Sequence, residues 1–250
     1  MKCEISAAER PSGQWRHQDR HLLLRTGEGD DHLLIVMDGH GESEHTIDRC
    51  MELLPLYAEE RFRGEPFTYG DEMLRIFADL ADETRSFPDG CSLSIVHLAH
   101  KGKFLASTLG DTAVVWGHRT DWSHTVGWLR PHDAATHVRE RERLAKMGAT
   151  VAHGYVHREG YRSEGLSMSR GLGNADFDAP LSREPDMQSG QLLGKSYLAL
   201  ATDGFIDLTR PDWFSILPCL EEKMPARDLL LTRHNQLRDD ATVIVVYAPD

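Results

Sequence analysis

The chain has 250 residues, 40% of them hydrophobic and 27% charged, with a formal net charge of −12. That composition belongs to a folded globular protein rather than a disordered one, and the acidic balance argues against sequence-independent DNA binding, which depends on Lys and Arg neutralising phosphates. Cys3, Cys50, Cys91 and Cys219 are too widely spaced for a zinc knuckle or a disulfide framework, no apolar run reaches the roughly 18 residues that span a bilayer, and the start MKCEISAAERPSGQW lacks the apolar core of a signal peptide, so a monomer in the cytoplasm, away from membrane and nucleic acid, is the default.

No repeat and no linker rich in Pro, Gly or Ser interrupts residues 1–250, which read as one domain. Residues 21–24 and 32–37 read as two strands around the turn-forming RTGEGDD. Ser43 offers an N-cap to a helix running to Phe62, with Ile47, Met51, Leu54 and Tyr57 near one face. A second helix is expected over residues 70–85, with Met73, Phe77 and Leu80 buried. Three short apolar strands follow in CSLSIVHLA, KFLASTL and TAVVWGH, separated by KG and GD turns. Residues 134–147 read as a charged helix stopped by Gly148. Strand signals come in TVAHGYV and SYLALAT, helices around 213–222 and 226–237, and a final strand in ATVIVVYA. Strands and helices are clustered rather than alternating, which points to an α+β fold with mainly antiparallel sheets packed together and helices outside.

Asp residues recur at the edges of the strand-like runs. Asp19 precedes HLLL, Asp38 follows LLIVM, Asp111 follows FLASTL, Asp203 follows YLALAT, and Asp239 precedes ATVIVV. Carboxylates at rigid strand ends can converge on one rim of a sandwich. An oxygen-only donor set suits Mg²⁺ or Mn²⁺ better than zinc, and two such ions about 3.5–4 Å apart can activate water and clamp an oxyanion. The glycines after Asp38 and Asp203 would let a carbonyl approach an ion, or allow a tight turn that exposes the Asp.

In this order the motifs resemble those of the type 2C metal-dependent protein phosphatases over nearly the whole chain. LLIVMDGHGES is similar to that family's bridging-aspartate motif and WRHQD to its N-terminal signature. STLGDTAVVW, LSMSRGLGNADF, LALATDGFIDL and LRDDATVIVV are similar to its later motifs. The resemblance implies a four-layer α-β-β-α sandwich, two mainly antiparallel sheets flanked by helix pairs. It implies two core Mn²⁺ or Mg²⁺ ions and attack of metal-activated water on phosphoserine or phosphothreonine in a protein. Carried over by position, Asp38, Asp203 and Asp239 hold the core ions, with Asp38 bridging, the Gly39 carbonyl on one ion and Asp19 in the shell. Asp111, Asp203 and Asp207 match a third, weaker site, and His40 matches the general acid that protonates the leaving alkoxide. The other His are read as surface or supporting groups.

Several positions depart from the pattern. The Arg that usually grips phosphate is replaced by Gln14; Arg16 is either its substitute or a surface residue. Asn174 stands for the common Asp, and Asp240, read as a surface charge, stands for Asn. Residues 174–190 are expected to form a flap that bears on substrate choice. Two other functions stay open at this point: a catalytically weak, phosphatase-like regulatory or binding module, and a hydrolase of small phosphoesters.

Overall fold

Strand alternation sets the layers. In β3 (Asp31–His40), Leu33, Ile35 and Met37 join one buried cluster while Leu34 and Val36 join another, as the two-residue period of a strand requires. The first cluster is closed by α1 (His45–Arg61) and α2 (Tyr69–Thr84), through Ile47, Cys50, Leu54, Met73, Ile76 and Phe77. The second is closed by Val114, Leu198, Leu200, Ile244 and Val246 of a facing sheet. On the outer side of that sheet, Val243, Val245 and Tyr247 of β14 (Ala241–Tyr247) meet the short helices Leu217–Glu221 and Ala226–Thr232. The outcome is the expected α-β-β-α sandwich. Each fully buried Leu or Ile in it contributes about 1.5–3 kcal/mol.

The structure is a computed structural model that describes residues 3–11, 17–26, 31–62, 69–120, 123–134, 136–157, 165–177, 179–205, 216–232 and 239–249. Arg16, Gln14 and Asp207 lie outside the described residues. One sheet runs β1 (Glu4–Arg10), β14, β13 (Ser196–Ala201), β6 (Ala113–Arg119), β7 (His124–Leu129). The other runs β12 (Asp186–Gln191), β5 (Lys103–Leu109), β4 (Gly90–Leu98), β3, β2 (Asp19–Thr26), with β11 (Leu172–Gly173) also on β4. The pairings in both are antiparallel. A small third sheet, β10 (Gly165–Leu166), β9 (Tyr155–His157), β8 (Thr150–Ala152), packs Val156 onto Leu144 of α3 (Val138–Lys146).

Several boundaries differ from expectation. The cap of α1 is Glu44, not Ser43, and it makes no side-chain hydrogen bond. The backbone N–H of Thr46 donates instead to Asp89 Oδ2 at 2.9 Å, a partner 43 residues away. The helix expected from 134 begins at Val138. TVAHGYV is not one strand but the β8–β9 hairpin. Pro218 sits in the first turn of Leu217–Glu221 rather than interrupting a helix. The end of the expected flap, residues 186–190, belongs to β12, an edge strand paired with β5. Among the described residues no helix is long and apolar enough to cross a membrane.

One histidine belongs to the core. His97 is 1% exposed on β4, stacked on Phe62 at 4.8 Å and edge-on to Tyr69 at 4.5 Å. Burial pushes its pKa down from 6.5 to about 4. The folded state therefore binds this proton less readily than the unfolded chain, so the stability it contributes is intact above pH 6.5 and lost as pH falls toward 4. Relative to His97→Phe, which keeps the ring packing, the wild type should lose roughly 2–4 kcal/mol between pH 6.5 and pH 4. Urea unfolding of both proteins at the two pH values checks this.

Candidate functional site

The ends of β2, β3 and β14, the end of β13 and the β5–β6 turn meet at one rim of the sandwich. Register brings the first two together, since Asp19 pairs with Asp38 across β2 and β3. There, Asp19, Asp38, Gly39, His40, Asp111, Asp203 and Asp239 line one cleft of about 540 Å³. The described residues thus bring together every predicted ligand except Asp207, which lies outside them.

Asp38 is the centre. The backbone N–H of Asp203 donates to its Oδ2 at 3.3 Å, and among the described residues no Lys, Arg or His forms an ion pair with it. Burial, then the negative charges of Asp203, Asp19 and Asp111, push its carboxyl well above the usual range. Asp19 is 2% exposed and is pushed up to about 7, mainly by burial and partly by Asp240, against the pull of hydroxyl hydrogen bonds. Its Oδ2 accepts the Thr202 hydroxyl at 2.7 Å, and Thr202 Oγ1 in turn accepts the N–H of Thr242 at 2.9 Å. That chain ties β2 to the opposite sheet exactly where the site forms. Burial, with Asp240 and Asp111 nearby, also raises Asp239.

Asp111 is held from two sides. The Ser92 hydroxyl donates to Oδ1 at 2.5 Å and the Ser167 hydroxyl to Oδ2 at 3.1 Å. Behind it, buried His132 accepts the Gly110 N–H on Nδ1 at 3.2 Å and faces Asp186 at 3.3 Å. Arg170, the Arg of the Ser-Arg motif, bridges Asp186 at 3.0 Å and buried Glu140 at 2.6 Å. This network fixes the turn that presents Asp111, and neither His132 nor Glu140 was singled out from sequence.

His40 is oriented by Asn174. The amide of Asn174 donates through Nδ2 to Leu172 O at 3.1 Å, which leaves Oδ1 to accept from His40 Nε2 at 3.0 Å. The proton of a neutral ring is therefore on Nε2. Burial holds the His40 pKa below 6.5, although Asp111, Asn174 and Asp89 act to raise it. The pair needs Gly90, because a Cβ there would lie 1.9 Å from Asn174 Nδ2 and 2.5 Å from His40 Nε2.

Two positions with open alternatives in the sequence are narrowed. Gly39 is not in a tight turn but within β3, packed so closely that a Cβ would meet Gln18 O at 3.0 Å. Asp240 is not a surface charge; it is 6% exposed, its Oδ2 accepts the Gln18 N–H at 3.1 Å, and it faces His17 at 3.2 Å. Asp89 is a further supporting residue: its carbonyl accepts the Asn174 N–H at 2.8 Å while its carboxylate caps α1.

The donors fit hard divalent cations. They are carboxylate oxygens from five chain segments, crowded enough to raise one another's pKa, and no Arg or Lys among the described residues lines the cleft. Among the described residues no three His, Cys, Asp or Glu side chains already close on one ion position. The fit thus rests on donor chemistry and uncompensated charge.

Comparison with known proteins gives the same outline. A family model described as protein phosphatase 2C matches residues 6–213. No curated protein matches the chain. Among solved structures, a Toxoplasma gondii serine-threonine phosphatase 2C superposes with a TM-score of 0.75 at 17% identity, covering 98% of this chain and 94% of its own. A C. elegans sex determining protein gives 0.75 at 19% identity, covering 99% of this chain, which spans 65% of that protein. The Staphylococcus aureus serine/threonine phosphatase Stp1 gives 0.66 at 14% identity over 100% and 96% of the two chains. At these identities the structural likeness speaks to the fold.

Proposed function

The chain belongs to the protein phosphatase 2C family, and from that premise we propose that it hydrolyses phosphoserine and phosphothreonine in proteins, with Asp38, Asp203 and Asp239 holding two Mn²⁺ or Mg²⁺ ions. The observation that carries the reading is Asp38 itself, a buried carboxylate pressed by Asp203, Asp19 and Asp111, with no cationic side chain paired to it among the described residues. Residues 1–250 act as one catalytic domain in this reading, monomeric and cytoplasmic, with a phosphorylated protein as the partner; unpaired cysteines suit a reducing compartment.

Bound in the cleft, divalent cations would lower the pKa of water and offset the charge of a phosphate dianion. The residues supply the rest. Asp38 would hold the ions together with the Gly39 carbonyl, and Asp19, held by Thr202, would order their shell. Asp111, fixed by Ser92 and Ser167, would hold a third, weaker ion with Asp203 and Asp207. His40 is kept on the cleft wall by Asn174. Buried and neutral before substrate enters, it is brought toward the imidazolium by the incoming negative charge and can protonate the departing alkoxide. Arg16 is assigned to the substrate phosphate in place of the Arg that Gln14 lacks.

Turnover of a phosphothreonine peptide should require Mn²⁺ or Mg²⁺ and vanish with chelator. A peptide should exceed a small aryl phosphate in kcat/KM. Hydrolysis indifferent to chelator would sink the metal reading, a preference for the small ester would favour small-molecule substrates, and a metal-loaded protein without turnover would be a binding module.

A further inference from the structure

The cleft wall is not all carboxylate: Tyr155, Leu166 and Phe177 add apolar surface to it. At about 540 Å³ the cleft falls in the range of roughly 300–1,000 Å³ that takes whole ligands rather than a lone phosphate.

Tyr155 is singular on this wall. In β9, Val156 turns inward onto Leu144 and Ala134, so alternation turns Tyr155 to the opposite face. That ring is 47% exposed, and among the described residues its hydroxyl makes no hydrogen bond. The neighbouring strand leaves room for it: a Cβ on Gly165 would lie 2.8 Å from Tyr155 Cβ, and Gly165 lines the same cleft. An exposed, amphipathic ring with little rotamer freedom is costly to leave idle and well suited to gripping another side chain. It lines the same cleft as the Asp cluster, where no Arg or Lys among the described residues offers charge.

Resting on the phosphatase reading above, we propose that Tyr155 is a specificity-determining residue whose ring receives the side chain flanking the phosphorylated Ser or Thr, selecting phosphoproteins with a bulky apolar or aromatic residue there. Leu166 and Phe177 extend the same apolar surface. Acidic flanking residues would meet instead the Asp-lined side of a chain carrying a net charge of −12.

The test compares two phosphothreonine peptides differing only in that flanking residue, Leu or Gly, each measured with the Mn²⁺-loaded full chain. The wild type should favour the Leu peptide in kcat/KM by roughly three- to tenfold, the strength of an ordinary ring contact. Tyr155→Ala and Tyr155→Thr should bring the ratio close to one, and Tyr155→Phe should keep most of it. Because both peptides are read on the same preparation, a reduced folded fraction cancels from the ratio. A wild-type ratio near one, or a ratio unchanged in the Ala and Thr variants, overturns the assignment of Tyr155 while leaving the phosphatase reading standing. A wild type that cleaves neither peptide removes that reading, and this assignment with it.

Discussion

Asp38→Asn is expected to lower kcat/KM for a phosphothreonine peptide by roughly 10³-fold or more, the loss of several kcal/mol of charge stabilisation in the transition state. The same substitution should leave the chelator-treated protein more stable, by roughly 2–5 °C in Tm. Both follow from one cause. Asp38 lies under Asp203, Asp19 and Asp111, and burial with their charges lifts its pKa well above an ordinary carboxyl. A group raised in this way stabilises the fold at low pH, and that contribution is lost as pH rises past its unfolded value of 3.8. Near neutrality the metal-free protein therefore bears the cost of holding Asp38 buried among like charges, which Asn relieves, and the advantage of Asn should shrink as pH falls toward 4. Mn²⁺ should reverse the order by stabilising the wild type more than the variant. Melting curves with and without chelator, alongside steady-state kinetics, check all three. A variant that is less stable without metal would show that Asp38 is satisfied by the protein alone.

The second large effect comes from a residue with no side chain. A Cβ on Gly204 would lie 1.8 Å from Asp240 O and 2.8 Å from Asp240 C. The obstacle is backbone, so the segments after β13 and before β14 would have to separate, and these carry Asp203 and Asp239. Gly204→Ala should therefore cost about 3 kcal/mol, the upper end of ordinary overpacking, and weaken Mn²⁺ binding by roughly 10–100-fold, as displaced ligand support does. Gly70→Ala is the control. Gly70 lies in α2 with nothing within 4 Å of its missing Cβ, so Ala there should be neutral or stabilise by up to about 1 kcal/mol. Urea denaturation of both variants separates a local clash from a general intolerance of glycine replacement.

The parts of the fold legible in the sequence are those where burial writes the pattern. β13 and β14 are buried along their whole length and show as unbroken apolar runs with Asp at their ends. β1, β7 and β12 lie at sheet edges, with half-exposed or exposed positions in EISAAER, HTVGWL and DMQSGQ. They are held by backbone ladders to a neighbour, and a ladder leaves no trace in residue type. The Asp positions that line the cleft stand out in the sequence for the same reason as the central strands, since they punctuate apolar runs. Their supports were not. Asp89 caps Thr46 across 43 residues, Asp240 accepts the Gln18 N–H across 222, and Asn174 holds His40 across 134. Each is an ordinary polar residue until the sheets bring its partner near. The cleft wall around Tyr155 shows in the sequence only as one strand signal in TVAHGYV, because it comes from a three-stranded sheet of two- and three-residue strands too short to mark their turn by period.

The most direct test of the metal-holding cleft is calorimetric titration of Mn²⁺ into chelator-treated protein, run near pH 7 in two buffers of different ionisation enthalpy. Saturable binding of about two ions per chain is expected, with proton release to the buffer, because Asp19 at about 7 is partly protonated until a cation displaces the proton. In Asp38→Asn the tight binding should be lost. Absence of saturable binding in the wild type, or binding and proton release identical in Asp38→Asn, would contradict a metal centre built on Asp38.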